Sequence, residues 1–406
     1  MWYSVLEKVY IILRGILMAD YKTEEDSLII RTDSRIDTTN AEAVKAELNK
    51  ICGDCAHESL VLDMEDTKYI SSSGLRVILG LIKAEKDIKA VNVSPDVYDI
   101  MEMTGFTELF EVSKAFKHLS VEGCEVIGSG AKGIVYRYDP ETVVKVYRDP
   151  DNLPEIQKER SLARKAFVLG IPTAISYEIV RVGESFGSVF ELIDTKSFSQ
   201  LISEEPENFE LYTDRYANLL RKIHDTDVSP DDVPDIKPLI KKWLEGCRRF
   251  LADDVNEKLE RLVDEAPDTL KMIHGDYHTN NLMMQNGETI LIDMDTLARG
   301  IPVFELANVH GALVAFGKIN PEKQEKFTHV PYDICVKMWE RFLPVYFKTD
   351  DRKFLDECEK KIELFSYVRF LRHVGRREEN PDTKKEVELC VEKITGLCSE
   401  VDDLNF

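Results

Sequence analysis

Two hydrophobic rhythms divide this chain. From residue 19 to about 118, strand-length apolar runs alternate with helix-spaced ones. Ser27–Thr32, Leu60–Met64 and Lys89–Val93 are the strand candidates. Residues 40–51 and 74–84 are the helix candidates, the first with Thr38, Thr39 or Asn40 as its cap and the second with Leu75, Ile78, Leu79 and Leu81 on its apolar side. A short helix over 97–103 stops at Thr104 and Gly105. This alternation predicts an α/β domain over 19–118.

From residue 124 the strands come first and the helices afterwards. Ile134–Tyr138 and Val143–Tyr147 read as a hairpin closed by Asp139 and Pro140. Residues 153–169 form a helical pattern, with Pro154 near the start and Gly170 at the end. Val189–Ile193 is a further strand. From about residue 196 helical spacing prevails. Tyr216, Leu219, Leu220 and Ile223 make a core stripe that leads to a structural His224, and Trp339, Phe342, Phe347, Phe354, Phe365 and Phe370 belong to a helical core. Strand-rich residues 124–195 and helical residues 196–406 therefore predict an α+β second domain. Residues 119–123 are the linker, short and without a Gly/Ser tract. Residues 1–18 are an extra docking helix or a mis-called start; Glu7, Lys8 and Arg14 break their apolar run below the ~18 residues of a membrane span.

The chemistry is concentrated in the second domain. His274-Gly275-Asp276, with Asn281 after four intervening residues, precedes an apolar run that ends in Asp293. Phosphoryl transfer needs an acceptor for the nucleophile's proton and oxygen ligands for the metal that holds ATP. Asp276 suits the first task; Asn281 and Asp293 suit Mg²⁺. Upstream, Gly128-Ser129-Gly130-Ala131-Lys132-Gly133-Ile134-Val135 is a glycine loop that runs into a strand rather than a helix, which favours a phosphate-covering hairpin over a dinucleotide site. Lys145 is flanked by valines and needs an anionic partner. Glu155 and Glu159 stand one turn apart on the following helix.

The ordered set of loop, lysine, glutamate, catalytic loop and metal aspartate resembles the aminoglycoside phosphotransferase and choline kinase group. The likeness extends over roughly residues 123–400. It implies a bilobal protein-kinase-like fold with a five-stranded antiparallel N-lobe sheet. It implies a kinase that moves the γ-phosphate of ATP to a hydroxyl of a small molecule, with Mg²⁺. By the same resemblance Gly128, Ser129, Gly130 and Gly133 cover the phosphates, Lys145 holds them with Glu159 (Glu155 as the alternative), and Glu191 lies at the adenine hinge. Asp276 is catalytic, and Asn281 and Asp293 bind metal. Asp295 either assists the metal or shapes the loop. Glu305 departs from the group's usual Asp.

Asp63 to Leu75, with Ser71-Ser72-Ser73-Gly74-Leu75 opening a helix, resembles the STAS domain of anti-sigma-factor antagonists. That likeness implies a mixed sheet with helices, an anti-sigma-type regulatory protein as partner, and Ser72 as a phosphorylation candidate. Ser71 stands where the family has Asp. The bland reading of these serines is helix capping.

Charge and cysteine content narrow the setting. Asp plus Glu number 75 against 53 Lys plus Arg, a net charge of −22, which disfavours nucleic acid and anionic membranes and favours a cationic acceptor. Arg369, Arg372, His373, Arg376 and Arg377 form a basic run, read either as helix-surface charge or as contacts to an anionic acceptor or ATP. Eight scattered cysteines read as reduced thiols of a cytoplasmic protein. Two alternatives remain: a nucleotide-sensing module without catalysis, and a protein kinase acting on Ser72 or a partner.

Overall fold

Period-2 runs with a single covered face pair into a sheet, and the amphipathic stretches between them close that face. In the computed structural model, which describes residues 20–406 except 25, 131 and 151, the chain divides into one unit up to His118 and another from Leu119. The expected segment 1–18 lies outside the described residues.

The first unit has β1 (Tyr21–Glu24), β2 (Ser27–Arg31), α1 (Ala41–Asp54), β3 (Ser59–Asp63), α2 (Ser72–Ala84), β4 (Ile88–Val93), α3 (Pro95–Met103) and β5 (Glu111–Lys114). The strands lie in the order β1-β2-β3-β4-β5. β1 is antiparallel to β2 and the remaining pairs are parallel, so the sheet is mixed. Leu28, Ile30, Leu60, Leu62 and Ala90 meet Leu48, Ile78 and Met101 in one core. Each fully buried Leu or Ile contributes about 1.5–3 kcal/mol. β1 and β5 escaped the sequence pattern because their sides carry little apolar signal: every residue of β1 is exposed. The cap of α1 also differs from expectation. Asn40 occupies the position but makes no capping bond; Asp37 instead accepts from Thr39 N, and the Asn40 side chain accepts from Asp37 N.

In the second unit β6 (Glu125–Ser129), β7 (Gly133–Arg137), β8 (Thr142–Tyr147), α4 (Leu153–Val168), β9 (Ser176–Val182) and β10 (Ser185–Glu191) build the N-lobe. These five strands run β9-β10-β8-β7-β6, all antiparallel. Leu119 and Val121, expected in a linker, pack against Val144, Val180 and Val189, and Leu119 N donates to Arg181 O at 2.8 Å. The C-lobe is helical. Its α5 (Phe209–Asp225), α6 (Lys237–Cys247), α7 (Val303–His310) and α8 (Arg352–Val374) surround a core that contains Trp339, Phe342 and Phe365, with Phe347, Phe354 and Phe370 packed on it. His224 is buried there. Its Nδ1 is 2.7 Å from Tyr346 Oη, and burial lowers its pKa to about 3, so it is a neutral core residue. No helix among the described residues is long and apolar enough to cross a membrane.

Candidate active site

The glycine loop is the turn between β6 and β7. Pairing of Val135 with Gly128 and of Ile134 with Ser129 brings the two strands together, and Gly130 N donates to Gly133 O at 2.9 Å. Only Gly133 is demanded by the fold. A Cβ there would lie 2.4 Å from Val146 O, whereas one at Gly130 would meet nothing within 4 Å. Arg148 steadies the turn, donating to Gly130 O and to Ser129 Oγ, each at 3.2 Å.

Lys145 lies in mid-β8, where its Nζ is 2.7 Å from Glu159 Oε1 and 3.5 Å from Asp293 Oδ1. Tyr147 Oη donates to the second oxygen of Glu159 at 3.1 Å. Burial alone would drive the Lys145 ammonium toward neutrality, but Asp293 and Glu159 outweigh it and raise its pKa. The lysine is therefore a fixed cation. Glu155 is bonded elsewhere, accepting from Asn152 Nδ2 at 2.9 Å.

The loop from His274 to Asn281 is held by buried groups. Gly275 has φ +88°, and a Cβ there would lie 2.5 Å from Thr296 O. The Asn281 amide donates to Asp276 O at 3.1 Å, which leaves its carbonyl oxygen as an acceptor. Ile292 N donates to Asn281 O at 2.9 Å and so joins the two expected metal-binding stretches. The strand before Asp293 ends at Leu291, and Asp293 itself takes a left-handed conformation, φ +63°, which Asp tolerates better than most residues. Glycine loop, Lys145, Glu159, Glu191, Asp276, Asn281 and Asp293 share one cavity of about 700 Å³. Glu191 lies at the end of β10, where its carboxylate accepts from Ile175 N at 3.3 Å.

Residues 123–324 match the profile of the phosphotransferase enzyme family, and residues 18–120 match that of the STAS domain. The chain joins a STAS domain to a phosphotransferase-family domain. BtrV of Bordetella bronchiseptica, named as an anti-sigma factor antagonist, is 32% identical over 84 residues, 20% of this chain and 72% of that protein. Among solved structures the chain is similar to aminoglycoside phosphotransferase APH(2'')-Ib with ADP bound, at 14% identity over 68% of this chain and 93% of that one, with a TM-score of 0.46. It is similar also to choline kinase from Cryptosporidium parvum Iowa II, at 14% identity over 68% and 90%, with a TM-score of 0.41.

In the phosphotransferase-family domain Asp276 is held by three cationic or polar neighbours. Arg369 Nη2 is 3.0 Å from its Oδ1, and His278 Nε2 is 3.6 Å from its Oδ2. Burial pushes the Asp276 carboxyl up, but His278, Arg369 and His274 together bring it well below the usual carboxylate range. It is thus an anion at neutral pH. Asp295 pairs with Lys132 of the glycine loop.

Two groups escaped the sequence reading, and a third, the arginines of α8, carries two readings there. Glu305, singled out only as a departure from the group's Asp, is fully buried at the start of α7; it accepts from Gly275 N at 2.7 Å and from Tyr277 N at 3.2 Å. Trp243 of α6 lines the cavity. Arg369 and Arg372, for which surface charge was one reading, line it too. α6 and α8 contribute Leu239, Trp243, Arg369 and Arg372 to the lining, and no carboxylate.

In the STAS domain Ser71 caps α2, its Oγ accepting from Ser73 N at 3.2 Å and Gly74 N at 3.4 Å. Ser72, the next residue, is exposed in the first turn.

Proposed function

We propose that the second unit is an ATP-dependent, Mg²⁺-requiring phosphotransferase acting on a hydroxyl of a small molecule, and that the STAS domain regulates it or binds an anti-sigma-type partner. The observation that carries the reading is the convergence of Lys145, Asp276, Asn281 and Asp293 on one cavity under the glycine loop. The residues fit a divalent ion: Asp293 offers a carboxylate that is 43% exposed, and Asn281 an amide oxygen, both hard ligands. When bound, Mg²⁺ supplies charge neutralisation of the phosphates. Lys145, kept cationic by Glu159 and Asp293, supports the placement of the α- and β-phosphates, while the glycine loop lets backbone N–H groups approach them.

The acceptor hydroxyl would lie against Asp276. Its oxygen forms a bond to the γ-phosphorus as the bond from that phosphorus to the β,γ-bridging oxygen breaks. The hydroxyl proton passes to the Asp276 carboxylate, and ADP leaves. Asp276 has a low proton affinity in the free protein, so its role is chiefly to orient the hydroxyl and to take the proton late, as the transferring group draws electrons from the oxygen.

The test is ADP release by the full chain with ATP, Mg²⁺ and a panel of hydroxyl compounds. Asp276→Asn should lower acceptor-dependent release by about 10²–10⁴-fold yet still bind nucleotide; unchanged release would remove the role given to Asp276, and nucleotide binding by the wild type without release for any acceptor would leave only a nucleotide-sensing module. The exposed position of Ser72 supports its being a modification site. Radiolabelled ATP with the full chain alone decides whether this chain labels itself there, and label lost in Ser72→Ala would mark it a protein kinase as well.

A further inference from the structure

The acceptor end of the cavity carries charge opposite to that of the whole chain. We infer that the acceptor is an anionic hydroxyl compound, one bearing a carboxylate or phosphate that Arg372, with Arg369, receives beside the Trp243 ring. This deepens the phosphotransferase reading and rests on it.

The geometry supplies an unsatisfied cation. Arg369 and Arg372 stand one turn apart on α8, and their guanidinium carbons lie 5.2 and 5.5 Å from the centroid of the Trp243 ring. Arg369 is already engaged, with Asp276 Oδ1 at 3.0 Å and Gly275 O at 3.3 Å. Arg372 has no carboxylate partner among the described residues, and its Nε is buried without a hydrogen bond. Trp243 Nε1 is buried and unpartnered as well. Both orphans are donors, and both residues line the cavity. Those two nitrogens are sealed from solvent, so it is the rest of the Arg372 guanidinium, without a carboxylate partner among the described residues, that a ligand in the cavity would meet.

Electrostatics point the same way. Burial lowers the pKa of Arg372, and Arg376 and Arg369 lower it further; of its neighbours only Cys247 opposes them. His373 is likewise lowered by burial and then by Arg377, Arg369, Arg372 and Arg376. Arg377 is paired with Glu386 at 3.1 Å, as Arg369 is with Asp276 at 3.0 Å. An ammonium-bearing acceptor would meet Arg369 and Arg372 at short range. A carboxylate or phosphate would meet a guanidinium that presents a flat set of donors. Leu239 and Trp243 give such a molecule an apolar wall.

The experiment uses the full chain with ATP and Mg²⁺, and ADP release is followed over matched triplets. Glycerate is set beside glycerol and 3-amino-1,2-propanediol; glucose 6-phosphate is set beside glucose and glucosamine. Binding of each compound to the ADP-loaded protein is measured by calorimetry. The expected result is turnover or saturable binding confined to the acid or the sugar phosphate, the two arms separating carboxylate from phosphate recognition. Arg372→Gln should raise KM or Kd for that member by about tenfold or more, the loss of one charge-assisted contact, with the loss in KM rather than kcat. Turnover of the neutral or amino members with an unchanged KM in Arg372→Gln overturns the inference and leaves the phosphotransferase reading standing. A rise in KM for ATP alone assigns Arg372 to nucleotide and overturns it too. Neither turnover nor binding of any anionic member also counts against it. Absence of nucleotide binding, by contrast, sinks the phosphotransferase reading itself.

Discussion

Glu305 Oε2 accepts a hydrogen bond from Gly275 N at 2.7 Å, with the carboxylate fully buried at the start of α7. Its other oxygen takes Tyr277 N at 3.2 Å, so one side chain holds the backbone on both sides of Asp276. Glu305→Ala leaves two buried N–H groups unpaired, each costing about 1–3 kcal/mol. The expected outcome is a loss of about 2–4 kcal/mol in the urea unfolding of this unit and at least a tenfold fall in kcat. Glu305→Gln, which retains one acceptor oxygen, should fall between the two; a neutral result for Ala would remove the role given to Glu305.

Gly275 tests the same loop from the backbone side. Alanine there must adopt φ +88° and bring its Cβ to 2.5 Å from Thr296 O. A non-glycine residue held in a sparsely populated region costs on the order of 1–3 kcal/mol, and the clash adds to it. Gly275→Ala should lower the melting temperature and reduce turnover more than nucleotide affinity. Gly130→Ala, where no atom lies within 4 Å, should fold normally.

Lys145 and Asp276 should separate binding from chemistry. Lys145→Met removes the cation proposed to hold the phosphates and leaves Glu159 buried without its lysine, so it should weaken both nucleotide binding and folding stability. Asp276→Asn keeps the shape and should reduce kcat by about 10²–10⁴-fold, with nucleotide affinity retained. Isothermal titration with nucleotide and steady-state ADP release distinguish the two patterns.

The carboxyl of Asp276 also predicts a pH dependence of stability. Its pKa is depressed in the folded protein, so its contribution is present above the unfolded value, ~3.9, and is lost as the pH falls through the folded value. The gap in urea unfolding between wild type and Asp276→Asn should be present near pH 6 and shrink progressively as the pH falls below about 4 toward the folded value. A gap that persisted unchanged in acid would contradict the electrostatic account of His278 and Arg369.

For the STAS domain, Ser71→Ala removes the cap of α2 and should cost about 1 kcal/mol. Ser72→Asp places a negative charge in the first turn of a helix, where the free N–H groups favour it, and should leave unfolding within about 0.5 kcal/mol of wild type. Circular dichroism melts of the two variants check the difference.

Much of the site was legible because its parts are local. The Asp276-to-Asn281 spacing, the glycine turn leading into β7, the lysine among valines in β8 and the glutamates of α4 depend on periods of two or 3.6 residues and on turn chemistry, which a short window contains. The α/β alternation of the first unit was legible for the same reason, and its fully exposed edge strand β1 was not, because a strand without a covered face has no hydrophobic pattern to read.

By itself, then, the sequence determined the order of the candidate groups: glycine turn, Lys145, the glutamates of α4, the loop of Asp276 and Asn281, and Asp293, each placed by its own neighbours. Tertiary structure shows Glu159, which the resemblance preferred to Glu155, meeting Lys145, and it alone decided that Glu305 holds the backbone around Asp276 from 30 residues away. It also decided that Arg369 and Arg372 turn a basic helix run into a cavity wall beside Trp243. The reason is physical. Which side of a helix faces a cavity is set by how that helix packs on the others, and α6, which carries Trp243, lies more than a hundred residues before α8 in the chain.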